Sequence, residues 1–229
     1  MDSIYETLMS LPLLKGVSEE RLKLVVSSTP LHFLKYLEGD TIINEGDPST
    51  HLRFIINGKA RVTITNSNGR FRVSQTLTGP DVIAPEYLFG RVTEYPCSAV
   101  ALEATGILQI SKSDYVSLLR SDEVILFNYL NLLSAGAQAK IDGIIALTDG
   151  SLEERIAYWI VALTQRSGTD IVLSCRQRDL YSMFGVQRSA FYAVLDSLRE
   201  RGIITYTPTE IRPVSRRALT GLLLNSDVD

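Results

Sequence analysis

The spacing of apolar positions changes several times along the chain, and each change predicts a different kind of element. In the first thirty residues Leu11, Leu13 and Leu14 are followed by Leu22, Val25 and Val26. This predicts short amphipathic helices, the second capped by Ser18 and stopped at Pro30. From Leu31 to about Ile110 the period is two: Ala60, Val62 and Ile64 alternate with Arg61, Thr63 and Thr65, and Phe71 and Val73 alternate with Arg70, Arg72 and Ser74. Asn68-Gly69 lies between these runs and Asn57-Gly58 just before Lys59. Asn-Gly suits hairpin turns that need positive φ, so an antiparallel β domain with one apolar face is expected.

Near Asp114 the period becomes helical. Between Asp122 and Leu147, Leu126, Leu130, Leu133, Ala137, Ile141, Ile144 and Thr148 recur at mostly alternating steps of four and three. Such a helix is about 39 Å long at 1.5 Å per residue, more than either small domain can cover. The heptad-like spacing predicts a twin helix as partner, with Ser134-Ala135-Gly136-Ala137 allowing close approach; a long helix buried within one subunit is the alternative. Thr148-Asp149-Gly150 breaks the pattern, and Ser151 with Glu154 forms a capping box for the next helix, which carries Ile156, Trp159, Ile160 and Leu163. A polar loop then leads to a short strand from Ile171 to Leu173.

A chain of 229 residues has room for two domains. No apolar run approaches the roughly 20 residues of a membrane span, and MDSIYETLMS lacks the basic-then-apolar order of a signal peptide, so a cytoplasmic protein with no membrane partner is expected. Two cysteines, Cys97 and Cys175, are too few for a disulfide framework, a zinc site or an iron-sulfur cluster. Both are expected as buried thiols, with redox sensing by Cys97 as the alternative.

The net charge of −3 argues against nucleic acid until its distribution is considered. Residues 1–149 hold 13 basic and 17 acidic side chains, a balance of −4, whereas residues 174–217 hold eight arginines against Asp179, Asp196, Glu200 and Glu210, a balance of +4. Arginine presents a planar fork to phosphates and guanine edges, although a solvated charged face has the same composition.

That basic stretch contains RQRDLYSMFGVQRSAFYAVLDSLRERGII, which has the layout of a helix-turn-helix. A first helix beginning near residues 174–176 buries Leu180 and Phe184, and Gly185 supplies the left-handed residue of the turn. In the second helix Phe191, Val194, Leu195 and Leu198 share one face, leaving Arg188, Ser189, Tyr192 and Asp196 off it. Recognition helices present their N-terminal residues to the major groove, so Arg188 is the expected base reader, beside Gln187, Ser189 and Tyr192. Arg176, Arg178, Arg216 and Arg217 are the expected phosphate contacts. Ile203–Thr207 and Glu210–Val214 flank Pro208 as a hairpin wing.

Gly39-Asp40, Ile42-Ile43, Glu45-Gly46-Asp47, Leu52, Phe54-Ile55-Ile56, Gly58-Lys59 and Val62, followed by Gly185-Val186-Gln187-Arg188, resemble the superfamily of the cyclic AMP receptor protein and the fumarate-nitrate reduction regulator. The resemblance covers nearly the whole chain. It implies an α+β protein with an N-terminal cyclic-nucleotide-binding-type β-roll (a double-stranded jelly roll, residues 1–113), a long dimerisation helix (114–149) and a C-terminal winged helix-turn-helix (150–229). It further implies a bacterial homodimer on promoter DNA, often an activator, with RNA polymerase as partner. The dimer interface would use Leu126, Leu130, Leu133, Ala137, Ile141 and Ile144.

The departures concern the effector. The cyclic AMP branch carries Gly-Glu and then Arg-Ser-Ala; here Ala84-Pro85-Glu86 and Cys97-Ser98-Ala99 stand instead. Loss of the cation that pairs with a desolvated phosphate argues against ordinary cyclic AMP binding unless Arg91 substitutes. The expected effector pocket comprises Glu86, Leu88, Phe89, Cys97, Ser98, Ala99, Phe127 and Leu130, apolar enough for haem or another hydrophobic signal. His32 and His51 are the candidate haem ligands, although both stand near strand or loop starts where surface histidines are commoner. The family's further recognition-helix arginine is replaced by Ala193. No phosphate-cradling glycine loop, metal-ligand spacing or nucleophile beside a histidine is found, so no enzyme and no metal site are expected. A sensor that acts through a protein partner is the competing reading.

Overall fold

The computed structural model describes residues 4–148 and 150–224, and the chain divides into two compact units: Met1–Val62 with Leu77–Ala135, and Thr63–Thr76 with Gly136–Asp229. The first three residues of the segment read against a signal peptide, and Asp149 of the expected helix break, lie outside the described residues.

The first unit opens with α1 (Ile4–Ser10) and α2 (Glu19–Ser28). The Ser18 side chain accepts from the Arg21 amide, and Leu22 and Val25 are buried, as the spacing predicts. Strands β1 (His32–Tyr36), β2 (Thr41–Ile43), β3 (His51–Asn57), β4 (Lys59–Thr65), β5 (Arg72–Thr78), β6 (Asp81–Ile83), β7 (Cys97–Ala101) and β8 (Thr105–Ser111) follow, then α3 (Lys112–Ser121) and α4 (Glu123–Ile145). One sheet has the order β1-β8-β3-β6, antiparallel throughout, with Leu52 opposite Ile110 and Phe54 opposite Leu108. Successive residues of β3 serve opposite faces. Leu52 and Phe54 pack with Leu8, Leu22, Tyr115 and Tyr129, whereas Ile55 joins Ala60, Val62, Leu77, Cys97 and Ala99 inside the roll. Two cores thus share one sheet, which explains why β3 reads as a nearly continuous apolar run. Between β3 and β4, Gly58 has φ +83°, and a Cβ there would lie 2.6 Å from the Ala104 carbonyl oxygen, so no other residue fits.

The second unit contains α5 (Leu152–Leu163), β9 (Thr169–Ser174), α6 (Gln177–Met183), α7 (Arg188–Glu200), β10 (Ile204–Thr207), β11 (Glu210–Pro213) and α8 (Arg216–Leu224). The Ser151–Glu154 capping box forms with both of its hydrogen bonds. Its sheet runs β10-β11-β9 and continues into β5, with Leu173 opposite Ile211 on one side and Val73 on the other.

This last pairing departs from the expected division. The alternation of Phe71 and Val73 is real, but their apolar face belongs to the winged-helix core rather than to the roll. Val73 is buried with Ile160, Leu173 and Phe191, and the Phe71 ring lies 5.4 Å from that of Trp159. Gln75 accepts from the Gln165 amide at 2.8 Å, and the Thr169 hydroxyl donates to the Thr76 carbonyl at 3.2 Å. The hairpin tip therefore counts with the second compact unit, and the borders between the two units fall at 62/63, 76/77 and 135/136.

Helix α4 spans 23 residues, and Asp122 at its start accepts from the Val124 and Ile125 amides. Ile125 and Tyr129 are buried and Leu133 packs partly against the same core. Phe127, Leu130, Ala137, Ile141 and Ile144 are exposed. Of the residues expected in the dimer interface, Leu130, Ala137, Ile141 and Ile144 are exposed and Leu126 and Leu133 are half-buried within the subunit; the exposed stripe also includes Phe127. Among the described residues no helix is long and apolar enough to cross a membrane.

The hairpin's place in the second core can be measured. Phe71→Ala is expected to cost roughly 1–2 kcal/mol, somewhat less than a fully buried phenyl ring contributes. It should also shift the emission of Trp159, the single tryptophan. An unchanged denaturation midpoint and spectrum would place the hairpin outside that core.

Candidate nucleic-acid interface

The helix-turn-helix is held by an aromatic cluster. Phe191 of α7 is fully buried; its ring stacks on Phe184 at 6.3 Å and lies 6.2 Å from Tyr181 of α6. Gly185, φ +66°, makes the turn, the Val186 amide donates to the Tyr181 carbonyl, and Arg155 of α5 donates to the Phe184 carbonyl at 2.5 Å. With Phe191, Leu195 and Leu198 fixed inward, a period of 3.6 residues turns Arg188 and Ser189 outward. Gln187 is the N-cap by position, yet its side chain makes no capping bond and is exposed.

Arg176, Arg178, Arg188, Tyr181, Tyr192 and Pro208 surround one concavity of about 460 Å³. Its floor includes Gln177, which is buried and donates through Nε2 to the Thr207 carbonyl, tying the start of α6 to the wing. Among the described residues Arg176, Arg178 and Arg188 have no carboxylate partner. By contrast Arg199 pairs with Asp196, Arg201 with Glu153 and Arg212 with Glu210. Three unneutralised guanidinium groups around the N-terminal end of a helix suit phosphates and base edges. Six of the eight residues expected at DNA thus belong to or adjoin this group: Arg176, Arg178, Arg188 and Tyr192 line the concavity, and the exposed Gln187 and Ser189 flank Arg188.

Arg216 does not join them. Its Nη1 donates to the carbonyls of Val161 and Thr164 at 3.0 and 3.1 Å and to the Thr164 hydroxyl, closing the C-terminus of α5. Burial lowers its affinity for its proton, the mark of a guanidinium taken from water. The composition counted it as a phosphate contact because a sequence does not reveal which of two adjacent arginines faces inward. Arg217, the next residue, is exposed.

In the roll, Leu88, Cys97 and Ala99 are buried, Phe89 and Ser98 are half-buried, and Glu86 is exposed. Phe127 and Leu130 are exposed on α4. Tyr129 meets the loop instead, its hydroxyl donating to the Pro85 carbonyl at 2.9 Å. The Tyr129 ring lies 5.8 Å from Phe89 and 5.4 Å from Tyr115, so the subunit's own rings pack against the loop. Pattern reading missed Tyr129, although it lies four residues after the buried Ile125. Burial, reinforced by Glu86 and Glu45, pushes the Cys97 thiol up to about 12, which favours its neutral form. Neither histidine fits a haem ligand of this cluster. His32 is exposed on β1, and His51 lines a different concavity with Ser111, Lys112, Ser117 and Arg120. The described residues contain no group of three metal-ligating side chains.

The fold and this interface define a winged-helix DNA-binding regulator with a cyclic nucleotide-binding-type domain. The family model of the cyclic nucleotide-binding domain matches residues 33–122, and that of the Crp-like helix-turn-helix domain matches residues 154–222. With both of these models matched in this order, the chain belongs to the superfamily of the cyclic AMP receptor protein and the fumarate-nitrate reduction regulator. It is 27% identical over 197 residues to the cyclic AMP receptor protein of Thermus thermophilus, covering 86% of this chain and 89% of that one. The crystal structure of Thermus thermophilus catabolite activator protein matches with a TM-score of 0.50 at 24% identity over 93% of this chain and 99% of that one. The sensor domain of the transcriptional regulator DNR from Pseudomonas aeruginosa matches with a TM-score of 0.51 at 18% identity, over 61% of this chain and 91% of that one. These two structures establish the fold.

Arg216→Ala is expected to lower the stability of the second unit by roughly 1.5–3 kcal/mol, the range for hydrogen bonds made by a charged group, as read by denaturant titration. Lost DNA affinity at unchanged stability would instead return Arg216 to the interface.

Proposed function

We propose that the protein acts as a cytoplasmic homodimer that reads a two-fold symmetric operator through Arg188, assisted by Gln187, Ser189 and Tyr192. Arg176, Arg178 and Arg217 hold the phosphates. The observation that carries this reading is the cluster of Arg176, Arg178 and Arg188 at the exposed N-terminal end of α7. The dimer seam is the stripe through Phe127, Leu130, Ala137, Ile141 and Ile144, whose steps of three, seven, four and three fit the heptad spacing of a coiled coil. In a dimer of this kind the two recognition helices lie about 34 Å apart, one turn of duplex, and RNA polymerase is the partner that the operator-bound dimer engages. The functional division is into a sensing roll, a dimerisation helix and a winged helix-turn-helix, with the hairpin tip assigned to the last.

The effector is not a free cyclic nucleotide. Its phosphate would meet a buried neutral Cys97, with Glu86 close enough to raise that thiol further, where binding requires a cation. The responsive site is the loop carrying Glu86, Leu88 and Phe89 beside Cys97, Ser98 and Ala99, closed here by Tyr129. Haem is not favoured, given where the histidines lie.

The DNA reading is tested by fluorescence anisotropy on an operator selected from a random pool. Six phosphate contacts per dimer predict a log–log salt slope of about −5. Arg188→Ala should cost about 1–3 kcal/mol per half-site on the operator and little on random duplex. Leu130→Lys with Ile141→Lys should sediment as a monomer and lose the operator; a mass unchanged at the dimer value would move the seam elsewhere. For the effector, calorimetry should find no saturable binding of cyclic AMP, and a micromolar dissociation constant would refute the argument from Cys97.

A further inference from the structure

The outer edge of α7 carries a run of adjoining cationic and aromatic side chains that ends on the wing. The Arg188 guanidinium lies 5.5 Å from the centre of the Tyr192 ring, and Tyr192 lies 6.3 Å from Tyr206 of β10, at 55°. The Arg199 guanidinium is also 5.2 Å from the Tyr206 ring. The Tyr206 hydroxyl donates to Asp196 Oδ1 at 2.5 Å, and Arg199 Nη2 pairs with the same oxygen at 2.7 Å. The order is therefore cation, ring, ring, cation, with one carboxylate holding the wing tyrosine. β10 is itself anchored, since Tyr206 stands opposite Ile211 and the neighbouring Thr207 carbonyl takes the Gln177 bond.

A long arginine on an exposed helix samples many rotamers, and ordering it on DNA opposes binding. A ring beneath the guanidinium restricts that sampling before DNA arrives. Tyr192 can do so only if it is held, and its neighbour on the wing side is Tyr206. Asp196 would otherwise place a bare negative charge on a helix that faces phosphates, and Arg199 and the Tyr206 hydroxyl neutralise it.

We propose that Tyr206 and Asp196 are positioning residues for base reading: they hold Tyr192, and through it Arg188, in the pose that meets a base edge. The wing thereby sets operator discrimination without touching a base. The proposal rests on the reading of Arg188 as base reader and deepens it. The run and its carboxylate pin join residues of two elements, which the pattern along α7 alone does not reveal.

The test measures the ratio of affinities for operator and random duplex in the full-length protein. Tyr206→Phe keeps the ring and removes only the hydroxyl; it should lower operator affinity about three- to tenfold, the worth of one hydrogen bond, with random duplex within about twofold. Asp196→Ala removes the same bond from the other end and should lower the ratio too, and thermal melting followed by Trp159 emission should show both variants folded. In a double variant with Arg188→Ala, Tyr206→Phe should add no further loss, because its effect passes through Arg188. Equal losses on both DNAs, or additive losses in the double variant, would overturn the positioning role while Arg188→Ala still lowers the ratio. If Arg188→Ala itself leaves the ratio unchanged, the base-reader reading falls and this proposal falls with it.

Discussion

The packing of Phe191 between Phe184 and Tyr181 determines where every side chain of α7 points, because a helix rotated about its axis moves all its residues together. Once that ring is buried, Leu195 and Leu198 follow on the inner face, and Arg188, Ser189 and Tyr192 are committed to the outer one. The turn at Gly185 and the Arg155 bond to the Phe184 carbonyl fix the crossing of α6 against α7, and the Gln177 bond fixes α6 against the wing. Arg176, Arg178 and Arg188 become neighbours as a result, although twelve positions separate the first from the last. Charge supplies affinity for DNA here, but an apolar ring decides where that charge is placed.

In the first unit the corresponding constraint is the sheet shared by two cores. Leu52 and Phe54 face the helices while Ile55 faces the roll interior, so the two faces cannot exchange without a one-residue slip of register. The loop at Pro85–Tyr87 depends on this frame. Ala84 before it adopts φ +44°, a left-handed conformation that costs a non-glycine residue about 1 kcal/mol and persists only when its surroundings impose it. Burial of Leu88 and the Tyr129 hydroxyl on Pro85 impose it here. A loop held by a few contacts to a long helix is a suitable place for a signal to act, since altering those contacts alters what the helix packs against.

Much of this was legible in the residue pattern. The capping box at Ser151, the turn at Gly185, the inward face of α7 and the wing around Pro208 each combine a local conformational requirement with a short-range period, and such signals survive folding unchanged. Patterns failed where the missing information was rotation or partnership. On α4 the period places Leu130, Ala137, Ile141 and Ile144 on the exposed face, but it does not show that Leu126 and Leu133 are half-buried in their own subunit while Phe127 is exposed. Nor does it show that Tyr129, and not Leu130, reaches the loop. At Arg216 and Arg217, neighbours of identical chemistry have opposite fates because only one can reach the end of α5.

Taken alone, the amino-acid order determined the kinds of element, their succession, the basic arm of the molecule and the absence of an arginine where Cys97 stands, because these depend on residue type and on neighbours a few positions apart. Tertiary structure decided that Phe71 and Val73 complete the winged-helix core, that rings close the loop at Pro85, and that Tyr206, bonded to Asp196, stands beside Tyr192. Each of those outcomes joins segments far apart in the chain, and their contacts depend on how whole sheets and helices pack, which no local period encodes.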